Sequence, residues 1–105
     1  MTTHSKTFAY GRLEADTDSW LLVAGDVIAL DVNELAGFDE SLEHKTVSVV
    51  GTMGIPRTSQ EIKLIVEKLA SHDAIRKRAY EIYASGQRGS TGDHWLRAEH
   101  ELLNM

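Results

Sequence analysis

The chain contains no cysteine, a single proline at position 56, and no apolar run long enough to cross a bilayer. Without cysteine there is no disulfide framework, no thiol nucleophile and no thiolate-held zinc or iron–sulfur site. The longest nearly uncharged apolar stretch, Trp20 to Gly25, falls far short of the ~20 residues a membrane helix requires. The opening Met1-Thr2-Thr3-His4-Ser5-Lys6 is polar with no apolar run behind it, unlike a signal peptide, and Thr2 stands where myristoylation needs glycine. A cytoplasmic location and no membrane partner are therefore expected. Basic residues are also scarce over the first half: positions 1–55 hold Lys6, Arg12 and Lys45 against nine acids, a net −6, whereas 56–105 hold eight bases against seven acids, and the whole chain carries −5. An acidic first half repels phosphate backbones, so a nucleic-acid partner is not expected there. Arg76-Lys77-Arg78 is the one basic cluster, and three consecutive helical residues spread around most of the helix without making a patch.

What is present is ordinary for a globular protein: 105 residues, 42% hydrophobic and 26% charged. The length is too short for a doubly wound nucleotide-binding fold or a (β/α)8 barrel, yet a compact chain of this size buries roughly 65% of its unfolded surface.

The first two-thirds reads as short strands. Thr7 to Leu13 alternates, with Phe8, Tyr10 and Arg12 on one side and Ala9, Gly11 and Leu13 on the other, and ends in the turn cluster Asp16-Thr17-Asp18-Ser19. Trp20–Val23 and Val27–Leu30 flank Ala24-Gly25-Asp26, a strand hairpin signal. Asn33 to Ala36 fits one helical turn, capped by Asn33 and stopped by Gly37. Thr46-Val47-Ser48-Val49-Val50 is β-branched almost throughout, with Gly51 and Gly54 marking its exit or a bulge. Residues 58–70 are ambiguous. Thr58-Ser59-Gln60-Glu61 fits a capping box, and Ile62, Ile65, Val66 and Leu69 fall at helical spacing. Against that, Ile62, Leu64 and Val66 alternate with Lys63, Ile65 and Glu67, and Pro56–Gln60 makes a loop between two antiparallel strands. The strand is the reading taken.

Five strands, a short helical turn between the third and fourth, and Lys45-Thr46-Val47-Ser48-Val49-Val50-Gly51-Thr52 as the fourth strand resemble the oligonucleotide/oligosaccharide-binding (OB) type of small β-barrel. The resemblance covers residues 7–69 and implies a fold, not an activity. Such barrels bind single strands with a basic groove and stacking aromatics. Here Phe8, Tyr10, Trp20 and Phe38 supply aromatics without the basic groove, and they are expected to be core.

From Ser71 the period changes. Ser71 caps a helix with Asp73 in its first turn, Ile75, Ala79, Ile82 and Tyr83 form one face, and Lys77 and Glu81 are spaced to pair. Ser85-Gly86 ends it, Gly86–Gly92 is a glycine-rich loop, and Asp93 is expected to cap a second helix carrying Trp95, Ala98 and Leu102 beside Leu96 and Leu103, with Arg97 and Glu101 paired. Ile75-Arg76-Lys77-Arg78-Ala79-Tyr80-Glu81-Ile82-Tyr83, a glycine-rich gap, and Asp93-His94-Trp95-Leu96-Arg97-Ala98-Glu99-His100-Glu101-Leu102 are similar to the bacterial family catalogued as domain of unknown function number twenty-nine thirty-four. The similarity covers residues 75–103. Tyr83 sits where that family more often has Trp, and the loop lacks the family's usual proline. The family has no established activity, so no functional residue follows from it.

The expected class is α+β: an OB-like five-stranded barrel over residues 1–70 and an antiparallel helical hairpin over 71–105. A hairpin of ~35 residues is below the size that folds alone, so its apolar face covers the β unit or a partner. Trp95 is expected to face Tyr80 or Tyr83; Arg78 and Glu99 are of opposite charge, and the sequence does not place them as a pair or apart.

No motif points to catalysis. His94 and His100 are six apart, about 240° round a helix, and not at metal-ligand spacing. His4, His44, His72, His94 and His100 are expected in surface or capping roles. The glycine loop follows a helix and lacks a phosphate-cradle signature. No nucleophile elbow surrounds any serine, and Asp16-Thr17-Asp18 lacks the rest of a calcium loop. No cofactor, metal site or catalytic residue is therefore assigned, and the chain is read as non-enzymatic. Its expected role is a binding or adaptor module that engages a protein partner or a second copy of itself, with Tyr80, Tyr83, Trp95, Arg76 and Arg88 as candidate interaction residues. The alternatives are an OB-type nucleic-acid binder and a small-ligand carrier or enzyme.

Overall fold

The computed structural model describes residues 6–17, 19–33, 35, 37–57, 60–86 and 88–103. Five strands precede two helices: β1 Thr7–Ala15, β2 Trp20–Ala24, β3 Asp26–Asp31, β4 Thr46–Gly54, β5 Lys63–Ser71, α1 His72–Ala84 and α2 Thr91–Leu103. The class is α+β, with a five-stranded sheet followed by two helices. Among the described residues no helix is long and apolar enough to cross a membrane.

The strand order is β1-β2-β3-β5-β4, and β4 pairs with β1, so the sheet closes on itself. All neighbours are antiparallel except β3 and β5, which run parallel at Leu30↔Leu64 and Asp31↔Ile65. A parallel pair requires a crossover. Here the crossing chain contains β4 itself and a short 3-10 turn at Glu40–Leu42, where the Asp39 carboxylate accepts the Ser41 N–H at 2.9 Å. The helical turn expected at 33–36 includes Glu34 and Ala36, outside the described residues; the turn observed lies further along and is capped by Asp39. The capping box at Thr58 and Ser59 also falls outside them.

Every strand contributes to the ring interior. Leu13, Leu22, Leu30, Val47, Val49, Leu64 and Val66 are at most 2% exposed and form one cluster. Burying such a side chain contributes roughly 1.5–3 kcal/mol. Trp20 and Phe38 pack against this cluster edge to face, ring centroids 5.0 Å apart, as expected of core aromatics. Phe8 and Tyr10 do not: they are 42% and 59% exposed on the outer face of β1, because Ala9, Gly11 and Leu13 take the inward positions. The β2–β3 connection is tighter than the three residues expected. Ala24 pairs directly with Asp26, leaving Gly25 at φ +88°, a left-handed conformation that costs a side chain roughly 1–2 kcal/mol.

Residues 63–71 are strand. Val50 pairs with Lys68 and Gly51 with Val66, so Glu67 is an extra residue at a bulge. A Cβ on Gly51 would lie 2.0 Å from the Ile65 carbonyl oxygen, so this approach of the two backbones requires glycine.

β4 is buried on both faces. Val47 and Val49 point into the ring, while Val50 joins Ala70, Ile75, Ile82, Ala98 and Leu103 in a second core outside it. The apolar face of the two helices is thus covered by β4 and β5 of the same chain. Ser71 ends β5 and caps α1, its hydroxyl accepting the Ala74 N–H at 3.1 Å. The first turn of α2 is held by Ser90 in place of the expected Asp93. The Ser90 hydroxyl accepts the Asp93 N–H at 3.2 Å, and the Asp93 carboxylate accepts the Ser90 N–H at 3.0 Å. Those bonds hold the Asp93 pKa below its ordinary value.

Candidate functional site

The two helices leave a groove between them. Arg76, Ala79, Tyr80 and Tyr83 of α1 face Thr91, His94 and Trp95 of α2 around about 330 Å³ of mostly apolar space. The i, i+3, i+4, i+7 positions 76, 79, 80 and 83 share one side of α1, which is why a single turn pattern delivers four of the walls. Tyr80 and Tyr83 are 69% and 66% exposed, the two most exposed large apolar side chains among the described residues. Tyr83 therefore does not share the buried face of Ile75 and Ile82. The two tyrosine rings lie 6.4 Å apart, and Tyr83 meets the His94 ring edge to face at 6.0 Å. Four of the five expected interaction residues, Tyr80, Tyr83, Trp95 and Arg76, come together here. Arg88 does not line the groove and is exposed in the connection between the helices.

Trp95 shares the groove with Tyr80 and Tyr83. Its indole packs edge to face on His72, centroids 5.0 Å apart, and Tyr10 covers the same imidazole at 6.2 Å. Arg78 and Glu99, left unplaced by the sequence, form no ion pair with each other. Arg78 reaches Glu101 at 2.6 Å, which raises the guanidinium pKa and lowers that of the carboxyl, and Glu81 lies 3.5 Å from Arg78. Arg97 and Glu101 are 3.9 Å apart, at the expected spacing. Arg76 is held by Asp73 at 3.0 Å on its own helix.

Glu99 is instead part of a polar cluster that joins sheet to helices. Ser48, fully buried on β4, donates its hydroxyl to Glu99 Oε2 at 3.0 Å, and its oxygen is 3.0 Å from His72 Nε2. A hydroxyl has one proton, so with that proton on the Glu99 bond Ser48 accepts from His72, and Nε2 carries a hydrogen. Burial is the largest influence on His72 and lowers its pKa from 6.5, with Arg76 acting the same way and Glu99 and Asp73 opposing. Serine, histidine and glutamate are the residue types of a hydrolase triad, but the roles differ. The serine proton goes to the carboxylate and not to the imidazole, and a fully buried hydroxyl meets no substrate. The cluster acts as a hydrogen-bonded joint.

Of the histidines expected in surface or capping roles, His94 is 6% exposed and His72 is half-buried in the joint, while His100 is exposed. His4 lies outside the described residues. His44, with Glu14 and Glu43, places ligand-type atoms within 4.8 Å of one another, and its Nδ1 is engaged by Glu14 at 2.7 Å. Residues 48, 72 and 99 are too far apart in sequence for spacing to connect them; the one local signal was a serine set between valines in β4.

No family model matches the chain, and no curated protein matches it either.

Proposed function

We propose that the protein is a non-catalytic binding module whose groove between α1 and α2 docks a protein partner. The observation that carries this reading is the exposure of Tyr80 and Tyr83 by about two-thirds, over an apolar groove, on helices whose opposite face is already covered by β4 and β5. Solvent-facing aromatics beside a concave apolar surface are the composition of an interface centre. The filled ring interior supports a scaffold role over that of a small-ligand carrier. In this reading the ring is an OB-type barrel, supported by its strand order and its parallel β3·β5 pair, and the two helices are a hairpin of the family of unknown function resembled by residues 75–103.

A nucleic-acid reading draws on Phe8 and Tyr10, exposed on the outer face of β1. The cleft beside them, lined by Ala9, Leu22, Ala24, Asp26 and Ile28, holds a carboxylate and no lysine or arginine. Affinity for a phosphate backbone rests on basic side chains, so that reading ranks second.

Replacing both tyrosines, Tyr80→Ser with Tyr83→Ser, tests the proposal. The intact chain should form a complex with itself or with a protein captured in cells, seen by sedimentation or co-purification, and the double variant should lose it with an unchanged circular dichroism spectrum. A chain that stays monomeric at high micromolar concentration and captures the same proteins with and without the tyrosines would contradict the proposal. A salt-dependent oligonucleotide complex would put the second reading first.

A further inference from the structure

Next to the groove, and sharing Trp95 with it, lies a smaller cleft where the outer face of β1 meets the start of α1 and the middle of α2. Its walls are Phe8, Tyr10, His72, Trp95 and Glu99, around about 190 Å³. One water needs only ~10–15 Å³ on such a measure, so the cleft admits a small organic group. Three aromatic rings and an imidazole thus share the space with a single carboxylate.

Glu99 is 7% exposed, and among the described residues its carboxylate accepts from the neutral Ser48 hydroxyl. Among the described residues no lysine or arginine forms an ion pair with it, because Arg78 and Arg97 both engage Glu101. Buried charges are normally paired, and a carboxylate with no cation beside it is an unfilled half of a pair. Aromatic faces attract cations placed within about 6 Å of the ring centre. Of the charges near the cleft, Asp26 lies beside Phe8 and Tyr10, and Arg76, which acts on His72, is paired with Asp73 at 3.0 Å. Burial is the largest influence on His72 and lowers its pKa, which disfavours the imidazolium as that cation.

We propose that this cleft is a binding site for an organic cation, an alkylammonium or guanidinium head group held against the Tyr10 and Trp95 rings with Glu99 as its counter-ion. The site is independent of whether the neighbouring groove docks a protein. The same head group occurs on free amines and on lysine or arginine side chains, and the two sources are separable by experiment.

The chain has two tryptophans, and only Trp95 lines the cleft, while Trp20 packs in the ring core. In an ¹⁵N-labelled full-length sample the two indole N–H signals report the two places separately. The probes are choline chloride, a short peptide carrying trimethyl-lysine, and 3,3-dimethylbutan-1-ol, the uncharged shape-mimic of choline. Choline or the peptide should move the Trp95 signal and leave Trp20 in place, with the neutral mimic weaker by about tenfold or more. A peptide that binds more tightly than choline assigns the site to side chains, and equal binding assigns it to free amines. Glu99→Gln keeps an oxygen to accept from Ser48 and should weaken the cation by about tenfold. Tyr10→Leu, at an exposed position, should weaken it also. The proposal is overturned if the neutral mimic moves Trp95 as readily as choline does. It is equally overturned if no cation moves that signal in the folded protein, or if Glu99→Gln binds unchanged.

Discussion

The hydroxyl of Ser48, in the middle of β4, donates to the Glu99 carboxylate of α2 at 3.0 Å, tying the closed sheet to the last helix across 51 positions of sequence. Because the same oxygen lies 3.0 Å from His72 Nε2, one buried serine joins three elements. Ser48→Ala removes both bonds at once and leaves a buried carboxylate without its donor. The expected loss is about 1–3 kcal/mol of unfolding free energy in a denaturant titration. A loss within a few tenths would show that the joint is dispensable.

His72 makes stability depend on pH. Its folded pKa lies below the unfolded value of 6.5, so above that pH neither state holds the proton and the contribution is complete. As pH falls below 6.5 the unfolded chain binds the proton first, and stability declines until the folded state titrates as well. The melting temperature should therefore fall more steeply as pH drops below 6.5 in the native protein than in His72→Gln. Glu99→Gln removes an influence that raises the His72 pKa, so it should extend the decline to lower pH. Parallel profiles for native protein and His72→Gln would contradict this account.

Gly51→Ala places a methyl 2.0 Å from the Ile65 carbonyl oxygen at the bulge. The backbones must separate, at a cost of about 1–3 kcal/mol or more, and the β4·β5 amides should lose protection from hydrogen exchange. Full protection in the variant would show that the bulge tolerates a side chain.

That bulge also explains what the sequence left open. Leu64 and Val66 point inward at a spacing of two, but the extra residue Glu67 moves the next inward position to Leu69, a spacing of three. A strand with such an interruption imitates helical spacing, which is why residues 58–70 supported both readings. Alternation in β1 separated two faces correctly. The aromatic face was expected inward, but Ala9, Gly11 and Leu13 take the inward positions and Phe8 and Tyr10 lie outside. Arg76, Tyr80, Tyr83 and Trp95 were legible as candidate residues but the groove was not, because the sequence pattern set Tyr83 on the face of Ile75 and Ile82. Nor was the Ser48–His72–Glu99 joint, because only the packing of α1 and α2 on β4 brings those three together.

Ser90→Ala removes the hydroxyl that accepts the Asp93 N–H. Loss of such a cap costs about 1 kcal/mol. The first turn of α2 carries Thr91 and His94 into the groove, so the variant should weaken partner binding as well as stability, read by the same complex formation that Tyr80 and Tyr83 control. A destabilised variant with undiminished binding would place the docking surface elsewhere.

The most direct measurement is site-specific photo-crosslinking in cells. A benzophenone amino acid at position 83, in the groove, is compared with one at position 27, where Val27 is 59% exposed on β3, away from the groove. Position 83 should give a discrete protein adduct, either a second copy of the chain or another protein, and position 27 should not. No adduct from 83, or the same adduct from both positions, would contradict the assignment of the groove as the docking surface.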